Sequence, residues 1–546
     1  MHILSVSQVR ALEADADAQG HSYARMMARA GAAVADAVAQ RCAVDGHRIL
    51  VLVGPGNNGG DGLVAARLLQ ELGAAVTAYL SSPRDADRDP VYRAAIDAGV
   101  RILADDEVTL QSSIGASHVL IDALLGTGAT PPLRGTVAAI LRTVGSALAG
   151  ERPTLVPAGA PLPSRQRKPL IVAVDGPSGL DFDSGDLDPL ALVADLTVTF
   201  AAPKWGHVRL PGAAKLGELL IADIGIPESV KVSPGPALAT PDLITSWLPQ
   251  RPAGAHKGTF GKAMIVAGSA NYTGAAVLAA SAALRAGAGL VTLALPGILH
   301  AAVVAAIPEA TYLLLPNTLG VVNEHAVPLL RDNLKGSDAL LIGPGLGNTE
   351  ESRGFLRGLL GLGGAVRSTG FVKPAPAALP SGELPPLVMD ADGLNILSES
   401  PGWPEALPRG TVLTPHPGEM SRLTGLDTGE VQASRLDVAR EWSERWQQIV
   451  VLKGAFTVVA APGEQPVVLP FANAALAKAG TGDVLAGTIV ALRAQGLDGF
   501  RAAIAGAYLH GLAGEIVAQR LGAAGAVAGD VAHALAEAWR RMVVIP

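Results

Sequence analysis

A rhythm of short apolar strands separated by helix-length segments most constrains the fold of this chain. Six strands are predicted in the first half, at residues 49–54, 75–80, 118–126, 170–175, 196–200 and 219–223. The rhythm resumes with seven more, at 263–267, 289–295, 339–343, 387–390, 412–414, 449–452 and 456–460. Strands that alternate with helices form βαβ units in a mostly parallel sheet. We therefore predict an α/β fold, with one or two Ala-rich helices over residues 7–41 and helices from residue 482 onward.

Chain length and a break in this rhythm predict two domains. At 546 residues the chain is too long for one hydrophobic core. Residues 227–254 are rich in proline and have no long apolar period, which is typical of a junction. We place the domains at residues 1–226 and 255–546. Two other Pro-rich segments, 151–169 and 363–386, predict surface loop insertions.

Composition excludes several classes of function. Cys42 is the only cysteine, so an internal disulfide and a Cys-built zinc site are excluded, and a cytoplasmic enzyme is predicted. No apolar run approaches the ~20 residues that cross a bilayer, and the N-terminus does not read as a secretion signal. The net charge is -7, without a basic stripe interleaved with aromatics. We expect no nucleic-acid or membrane partner.

The stretch GPGNNGGDGL, at residues 54–63, follows the apolar run 49–53 and forms a strand-to-helix turn. Its glycines let the backbone approach a ligand, and amides at the start of the helix favour an anion. The spacing matches neither G-x-G-x-x-G nor a P-loop, and a tight structural turn remains an alternative for the glycines alone. Asn57, Asn58 and Asp61 favour a ligand site, because their oxygens orient hydroxyls or coordinate a hard cation.

Two further predicted strands end in oxygen-bearing side chains. Asp122 ends the strand of IDALLGTG, and Asp175 ends that of VDGPSGLD, which also contains Ser178. Ligands of open parallel sheets bind beyond the carboxyl ends of the strands. Each aspartate taken singly has a helix N-cap as its alternative role. The convergence of three such strand ends predicts a ligand site.

Taken in order, GPGNNGGDGL, IDALLGTG, VDGPSGLD and FAAPKWG resemble the NAD(P)H-hydrate epimerase domain over roughly residues 1–226. The resemblance implies a Rossmann-like three-layer αβα domain that interconverts the R and S epimers of hydrated NADH and NADPH. It also implies a potassium ion held by Asn58, Asp122 and Ser178. The implied ligand contacts are Asn57, Asn58, Gly59, Gly60, Asp61, Gly126, Thr127, Gly128, Ala129, Thr130, Pro131, Pro132 and Asp175.

Two points of the epimerase resemblance stay open. Family members often have Ile where this chain has Gly176, and we expect the glycine to loosen the turn while leaving Asp175 and Ser178 in place. Epimerisation at C6 proceeds either by ring opening or by loss and return of the hydroxyl. Both routes need an acid and a base. Asp175 is our catalytic candidate, with Asp122 as the alternative.

In the second domain, AGTGDVLAG at residues 479–487 opens an apolar helix. Glycine amides at a helix N-terminus form an anion site, and Asp483 is placed to take a proton from a hydroxyl that attacks phosphorus. The alternative is a helix-capping aspartate with flexible glycines. KGAFT, at residues 453–457, either grips a nucleotide or forms a plain hairpin turn. His416 lies between prolines in TPHPGEM, where a structural role is the commoner one.

The set GTFGKAM, GPGLG, DADGLN, TPHPGEM, KGAFT and AGTGDVLAG resembles the ADP-dependent NAD(P)H-hydrate dehydratase over roughly residues 240–546. The resemblance implies a ribokinase-like αβα fold with ADP as co-substrate, accompanied by magnesium. The implied hydrate contacts are Ala276, Gly345, His416 and Asp483, with Ala275 beside them. The implied nucleotide contacts are Lys453, Gly454, Ala455, Phe456, Thr457 and Gly482.

Together, the two resemblances imply a bifunctional enzyme, expected as a homo-oligomer, that repairs a damaged metabolite. Asp483 would deprotonate the hydrate hydroxyl, which attacks the β-phosphate of ADP; loss of the phosphate then gives NAD(P)H. One alternative is a vitamin- or sugar-type kinase that keeps the phosphoester as its product. A second alternative makes the first domain a non-catalytic module that binds a ligand or a protein. The preferences for ADP over ATP and for NADH over NADPH hydrate stay open.

Overall fold

The computed structural model describes residues 1–104, 106–128, 130–149, 168–227, 229–230, 235–362 and 384–543. It divides into two compact units, Met1–Gly235 and Pro236–Pro546, so the division lies within the predicted junction 227–254. Ala129 lies outside the described residues, as do 151–167 and 363–383 of the two predicted loop insertions.

The first unit is built on a seven-stranded parallel sheet of order β3-β2-β1-β4-β5-β6-β7. All six predicted strands are present. The strands are β1 Arg48–Val53, β2 Ala75–Leu80, β3 Arg101–Ala104, β4 Val119–Ala123, β5 Leu170–Val174, β6 Leu196–Phe200 and β7 Glu218–Ala222. The strand order reverses between β1 and β4, and ligands of doubly wound sheets bind at such a switch point. The predicted Rossmann-like fold is confirmed for this unit.

Helices cover both faces of this sheet. They are α1 Val6–Ala18, α2 Tyr23–Ala39, α3 Asn57–Glu71, α4 Pro90–Asp97, α5 Glu107–Ala116 and α6 Gly135–Ala149. The Ala-rich segment 7–41 forms two helices, α1 and α2, and the side chains of Ser5 and Ser22 cap their N-termini. Along β1, Ile49, Val51 and Val53 enter one core, whereas Leu50 and Leu52 enter the other. Because side chains of a strand alternate between faces, this pattern defines three layers.

The second unit contains a ten-stranded sheet of order β11-β10-β9-β14-β15-β16-β17-β18-β19-β8. It is parallel except at the β17–β18 and β18–β19 pairs. All seven predicted strands are present. The strands are β8 Ala237–Leu238, β9 Lys262–Val266, β10 Leu290–Pro296, β11 Thr311–Leu315, β14 Ala339–Ile342, β15 Leu387–Met389, β16 Val412–Leu413, β17 Ile449–Leu452, β18 Val458–Ala460 and β19 Val467–Val468, with a separate hairpin of β12 Asn317–Thr318 and β13 Val321–Val322.

The helices of the second unit surround this sheet, which confirms the predicted α/β class. They are α7 Pro241–Trp247, α8 Thr273–Arg285, α9 His300–Ala306, α10 Ala326–Leu334, α11 Glu350–Leu360, α12 Asp392–Ser398, α13 Trp403–Ala406, α14 Pro417–Thr424, α15 Thr428–Ala433, α16 Arg435–Trp446, α17 Thr481–Ala494, α18 Gly499–Gly525 and α19 Ala528–Val543. Gly522 breaks α18 with a φ of 74°. Among the described residues, no helix is both long and apolar enough to cross a membrane.

Part of the predicted junction is folded structure. Residues 237–238 form β8, which pairs with β19, and residues 241–247 form α7. Thr240 caps α7, and Pro241 occupies its first turn, which is a favoured position for proline. The short strand and the seven-residue helix are too brief to produce a visible apolar period, which is why the sequence reads as a junction here.

Small residues let α8 and α17 pack closely in the core of the second unit. A Cβ atom on Gly487 would lie 2.1 Å from the carbonyl oxygen of Ala279, well inside van der Waals contact. Ala279, Ala280 and Ala283 of α8 are fully buried. The backbones therefore approach to a distance that only glycine allows at residue 487.

We expect Gly487→Ala to destabilise the second unit by about 1–3 kcal/mol, because the added methyl group overpacks a core that cannot move apart freely. Gly529→Ala is the matched control, since a Cβ atom there meets nothing within 4 Å and a helical alanine is neutral or favourable. Urea unfolding followed by tryptophan fluorescence measures both, because Trp247, Trp403, Trp442, Trp446 and Trp539 all lie in this unit. Equal stability of the two variants would contradict the packing argument.

Candidate active sites

The first candidate site lies where β1, β4, β5 and β6 end at the same edge of the sheet. The glycine-rich turn follows β1 and leads directly into α3, with Gly56 as the N-cap. Gly54 lies against β4: a Cβ atom there would come within 1.6 Å of the Leu124 carbonyl oxygen. Gly56 has no side chain to accept from the first amides of α3, and these amides are available to an anionic ligand.

Asp122 and Ser178 form a buried hydrogen-bonded pair across β4 and β5. The Ser178 hydroxyl and amide donate to Asp122 at 2.6 and 2.9 Å. Burial raises the pKa of Asp122, although these hydrogen bonds oppose the change. Asn58 reaches the same region, since its Oδ1 lies 3.2 Å from the Cβ position of Gly126. The three residues predicted to hold potassium therefore surround the segment that follows β4.

Asp175 and Lys204 form a second buried pair, at the ends of β5 and β6. The Lys204 ammonium lies 2.5 Å from Asp175 Oδ1, and the Thr199 hydroxyl donates to the same oxygen at 2.8 Å. Burial alone would raise the pKa of Asp175, but Lys204 and His207 outweigh it and lower that pKa. Asp175 also has a φ of 66°, a backbone conformation that is unusual for a residue other than glycine. The local structure therefore holds an ionised carboxylate in one orientation.

His207 fixes the backbone on both sides of this ion pair. Its Nδ1 accepts the Lys204 amide at 3.1 Å, so Nε2 carries the hydrogen and donates to the Asp175 carbonyl at 2.9 Å. Burial and the nearby Lys204 charge lower the pKa of His207 to about 4. The ring is therefore neutral near pH 7 and acts as a fixed hydrogen-bonding link.

Asp61 of α3, just after the first turn of the helix, lies near this pair. Burial raises its pKa well above the usual value, and the negative charges of Asp175 and Glu13 raise it further. Burial also raises the pKa of Glu13, which lies on α1. The site thus contains one carboxylate whose ionised form is favoured and another whose protonated form is favoured. Such a contrast is typical of acid–base pairs.

The remaining predicted contacts surround this centre. Asn57 and the described part of 126–132 are exposed or half-buried, and Arg10 of α1 donates to the Thr127 carbonyl at 3.2 Å. The effect of Gly176 on its turn stays a prediction, but the surroundings of this residue are closely packed. A Cβ atom there would lie 2.7 Å from the Phe182 ring, so this buried ring already occupies the space.

The sequence motifs did not indicate four residues of this site, namely Lys204, Thr199, His207 and Glu13. FAAPKWG was recognised only as a family motif, although a lysine after an apolar strand was a signal that Lys204 needs a buried partner. Glu13 gave no signal, because an acid on an amphipathic helix reads as a solvated surface residue.

The second candidate site centres on Asp390 and Lys453, at the ends of β15 and β17. The Lys453 ammonium lies 2.7 Å from Asp390 Oδ1, which also accepts the Thr414 hydroxyl at 2.7 Å. Glu419 lies 3.5 Å from the same ammonium. Burial alone would lower the pKa of Lys453, but Asp390 and Glu419 outweigh it and raise that pKa.

Asp483 lies in the first turn of α17, beside this pair. A Cβ atom on Gly482 would lie 3.4 Å from Lys453 Nζ and 3.8 Å from Asp390 Oδ2, so the predicted anion site and the ion pair adjoin. Burial raises the pKa of Asp483 from 3.8 to about 7, with Asp390 as the next cause. A carboxyl group with this pKa exchanges a proton readily near neutral pH.

His416 is both structural and available to a ligand. The amides of Gly418 and Glu419 donate to its Nδ1 at 3.0 and 3.4 Å, so the ring caps α14 and Nε2 carries the hydrogen. Burial and Lys453 lower the pKa of His416. Its side chain stays half exposed. The capping bonds therefore fix the direction in which Nε2 donates.

The other predicted contacts differ in how a ligand can reach them. KGAFT forms the connection between antiparallel β17 and β18 and is exposed at Gly454 and Ala455; the Thr457 hydroxyl donates to the Gly454 carbonyl at 2.9 Å. Ala276 is fully buried, so it has no exposed surface for a ligand in this structure. Gly345 lies tightly against α8, with its Cβ position 2.7 Å from Ala275 Cβ. Glu419 and Thr414 were not predicted as site residues, although both lie in the TPHPGEM motif.

We expect Lys204→Met to destabilise the first unit by about 3–5 kcal/mol, because it leaves the buried Asp175 carboxylate without its cation. Adding Asp175→Asn removes the uncompensated charge and recovers much of the loss. Thermal unfolding followed through Trp205, the tryptophan of this unit, measures both, with Lys168→Met as the exposed control. A double variant as unstable as the single one would show that the ion pair is not the cause.

Comparison with known proteins places both units in recognised families. A family model described as NAD(P)H-hydrate dehydratase matches residues 263–537, and one described as YjeF-related protein N-terminus matches residues 23–206. A bifunctional NAD(P)H-hydrate repair enzyme of Moorella thermoacetica is 38% identical over 89% of this chain and 86% of that protein. The Escherichia coli K12 enzyme of the same name is 32% identical over 94% and 89%.

Among solved structures, an ADP/ATP-dependent NAD(P)H-hydrate dehydratase from Bacillus subtilis is 30% identical, covering 56% of this chain and 99% of its own, with a TM-score of 0.45. The order of the two matched families along the chain and the identity over most of its length agree with each other. This chain belongs to the family of bifunctional NAD(P)H-hydrate repair enzymes.

Proposed function

We propose that the second unit dehydrates the S epimer of hydrated NADH and NADPH with ADP, and that the first unit converts the R epimer into S. The chain thereby acts in metabolite repair and returns the whole hydrate pool to NAD(P)H, AMP and phosphate. The proposal rests on the position of Asp483. Its carboxyl group, with a pKa of about 7, lies at the glycine-lined start of α17, beside Lys453 and Asp390.

In the first chemical step, Asp483 takes the proton of the C6 hydroxyl as that oxygen attacks the β-phosphorus of ADP. The bond between the β-phosphorus and the bridging oxygen breaks, and AMP leaves. Amides at the start of α17 face the transferred group and stabilise its negative charge. Lys453 adds a positive charge 3.4 Å from the Cβ position of Gly482.

In the second step, the lone pair of the ring nitrogen expels phosphate from C6 with the electrons of the C–O bond. Water then takes a proton from C5, and the electrons of that C–H bond restore the ring double bond. Phosphorylation matters because phosphate is a far better leaving group than hydroxide. His416, fixed by its capping bonds, donates through Nε2 to the hydrate.

Magnesium would enter this site with the phosphates of ADP. Within the described residues, no group of three or more His, Cys, Asp or Glu side chains is placed to hold a metal. Oxygen ligands from phosphates and water complete a magnesium shell when a protein supplies few carboxylates. The 453–457 connection, exposed at its tip, is our proposed contact for the AMP part.

In the first unit, Asp175 is our proposed base and Asp61 our proposed acid. C6 of the hydrate carries both a hydroxyl group and the ring nitrogen, and its inversion requires one of these bonds to break and to form again on the other face. Either route takes one proton and returns one. Lys204 favours the ionised form of Asp175 by lowering its pKa, whereas burial favours the protonated form of Asp61 by raising its pKa.

The residues around Asp122 suit a potassium ion in their donor atoms. Asp122, Ser178 and Asn58 offer carboxylate, hydroxyl and amide oxygens, and hard cations prefer oxygen ligands. The buried Nδ2 of Asn58 lacks a hydrogen-bond partner; as a donor it needs an acceptor oxygen, whereas the amide oxygen Oδ1 is the atom that would hold the cation. When bound, the cation would supply positive charge for oxygen atoms of the substrate. The cytoplasmic location, the homo-oligomeric state and the lack of nucleic-acid or membrane partners stay predictions.

We expect Asp483→Asn to lower the dehydratase kcat by a factor of about 10²–10⁴, because the amide cannot accept the hydroxyl proton. Epimer exchange, followed by chromatography of the R and S hydrates without ADP, should persist at the wild-type rate. Loss of both activities in a folded variant would contradict independent sites.

The pH dependence of the wild-type dehydratase should follow Asp483. Its carboxylate is the active form, so kcat for the S epimer falls as pH decreases through about 7, the pKa of this group. Rates measured from about pH 6 to about pH 8 would show the transition. A flat profile with chemistry rate-limiting would exclude Asp483 as the base.

For the epimerase, Asp61→Asn and Asp175→Asn should each lower the rate of R-to-S conversion by about 10²–10⁴ while the S-epimer dehydratase rate stays unchanged. Asp97→Asn, an exposed change on α4, is the control and should leave both rates intact. If either site variant kept full epimerase activity, its carboxyl group would not be the acid or base.

A further inference from the structure

Three buried polar atoms beside the glycine-rich turn lack hydrogen-bond partners. They are Asn58 Nδ2, Ser81 Oγ and Arg84 Nε, and within the described residues of the first unit they are the buried side-chain atoms of this kind. A buried polar group without a partner destabilises the folded state, so native proteins place partners there. Three such atoms around one turn indicate that a polar ligand completes them.

Arg84 donates hydrogen bonds to the backbone of the glycine-rich turn. Its Nη2 donates to the carbonyls of Gly54 at 2.7 Å and Gly56 at 3.1 Å. Its Nη1 pairs with Asp89 at 2.5 Å, and Asp89 in turn caps α4. Because both carbonyls of the turn accept from one guanidinium, the peptide planes are fixed, and the first amides of α3 keep one direction.

The close approach of Arg84 requires glycine in the turn. A Cβ atom on Gly59 would lie 2.8 Å from Arg84 Nη2 and 2.1 Å from the Gly54 carbonyl oxygen. The Arg84 side chain is only 12% exposed. Ser81 is adjacent, since its amide donates to the Val53 carbonyl at 2.9 Å immediately before the turn. The 81–84 loop and the 54–59 turn therefore form one packed structure.

We propose that Arg84 is a positioning residue of the epimerase site, which aims the turn amides at the pyrophosphate of the hydrated dinucleotide, and that the Ser81 hydroxyl binds the same group. The turn has no lysine of the P-loop kind, and the Arg84 guanidinium, paired with Asp89, acts on it through the two carbonyls. Helix amides held in this direction match the oxygen atoms of a pyrophosphate. This inference rests on the epimerase function proposed above.

The test uses the full chain and the pure R epimer with excess ADP, so that absorbance of reduced nicotinamide reports R-to-S conversion. The S epimer, assayed alone, reports the dehydratase in the same sample. The variants are Arg84→Gln, Arg84→Lys and Ser81→Ala. Arg88→Gln is the matched control, because Arg88 lies in the same loop and its side chain is 88% exposed.

We expect Arg84→Gln to raise KM for the R epimer about 10-fold or more with kcat nearly unchanged, because the turn amides that bind the pyrophosphate lose the charged donor that orients them. Arg84→Lys should recover part of the affinity, because it restores the charge but not the forked geometry. Ser81→Ala should raise KM several-fold. All variants and the control should keep the wild-type S-epimer rate.

Inorganic pyrophosphate provides the second measurement. It should compete with the R epimer in the wild-type protein and compete more weakly in Arg84→Gln. Unchanged KM in Arg84→Gln, a fall of kcat without a KM change, or no competition by pyrophosphate would each overturn the inference. If the wild-type protein converts R no faster than the spontaneous reaction, the epimerase function itself fails, and the two failures are thereby distinguished.

Discussion

Both units depend on a buried lysine–aspartate pair at the carboxyl edge of a parallel sheet. Lys204 pairs with Asp175 in the first unit, and Lys453 pairs with Asp390 in the second. In each pair a threonine hydroxyl donates to the same aspartate oxygen. Two ions removed from water need this additional hydrogen bonding, because their mutual attraction alone barely offsets the desolvation cost. The charges of each pair are therefore fixed in position, and they influence the pKa values of the neighbouring side chains.

Burial and the aspartates of these pairs raise the pKa values of neighbouring carboxyl groups. Asp175 and Asp390 are each paired with a lysine. The neighbouring acids, Asp61 and Asp483, are buried and lie near these aspartates, and both effects raise their pKa values. The two acids differ in use: Asp61 suits a proton donor, and Asp483, near pH 7, suits a base. One arrangement of strand ends thus supports two chemistries on the same damaged nucleotide.

Much of this could be predicted from sequence because apolar strands and glycine turns are local patterns. Every predicted strand is present, and the motifs that contain Asp122, Asp175, Asp390 and Asp483 lie at strand or helix ends. The misses have physical causes: β3 and β11 are short and partly exposed, so they lack a strong apolar signal. Lys204 and Thr199 become site residues only through pairing across strands. The packing of the Phe182 ring against Gly176 could not be predicted, because it depends on how the chain turns between these two residues.

The central claim is that one chain repairs both epimers, and recovery of reduced nicotinamide from mixed hydrate measures it most directly. Pure protein is incubated with the R and S mixture and ADP, and absorbance is followed against a sample without protein. Faster and complete recovery is the predicted result, since the first unit supplies S as the second consumes it. Recovery that stops at the S fraction, with the remainder converting only at the spontaneous rate, would contradict the epimerase; no recovery would contradict both activities.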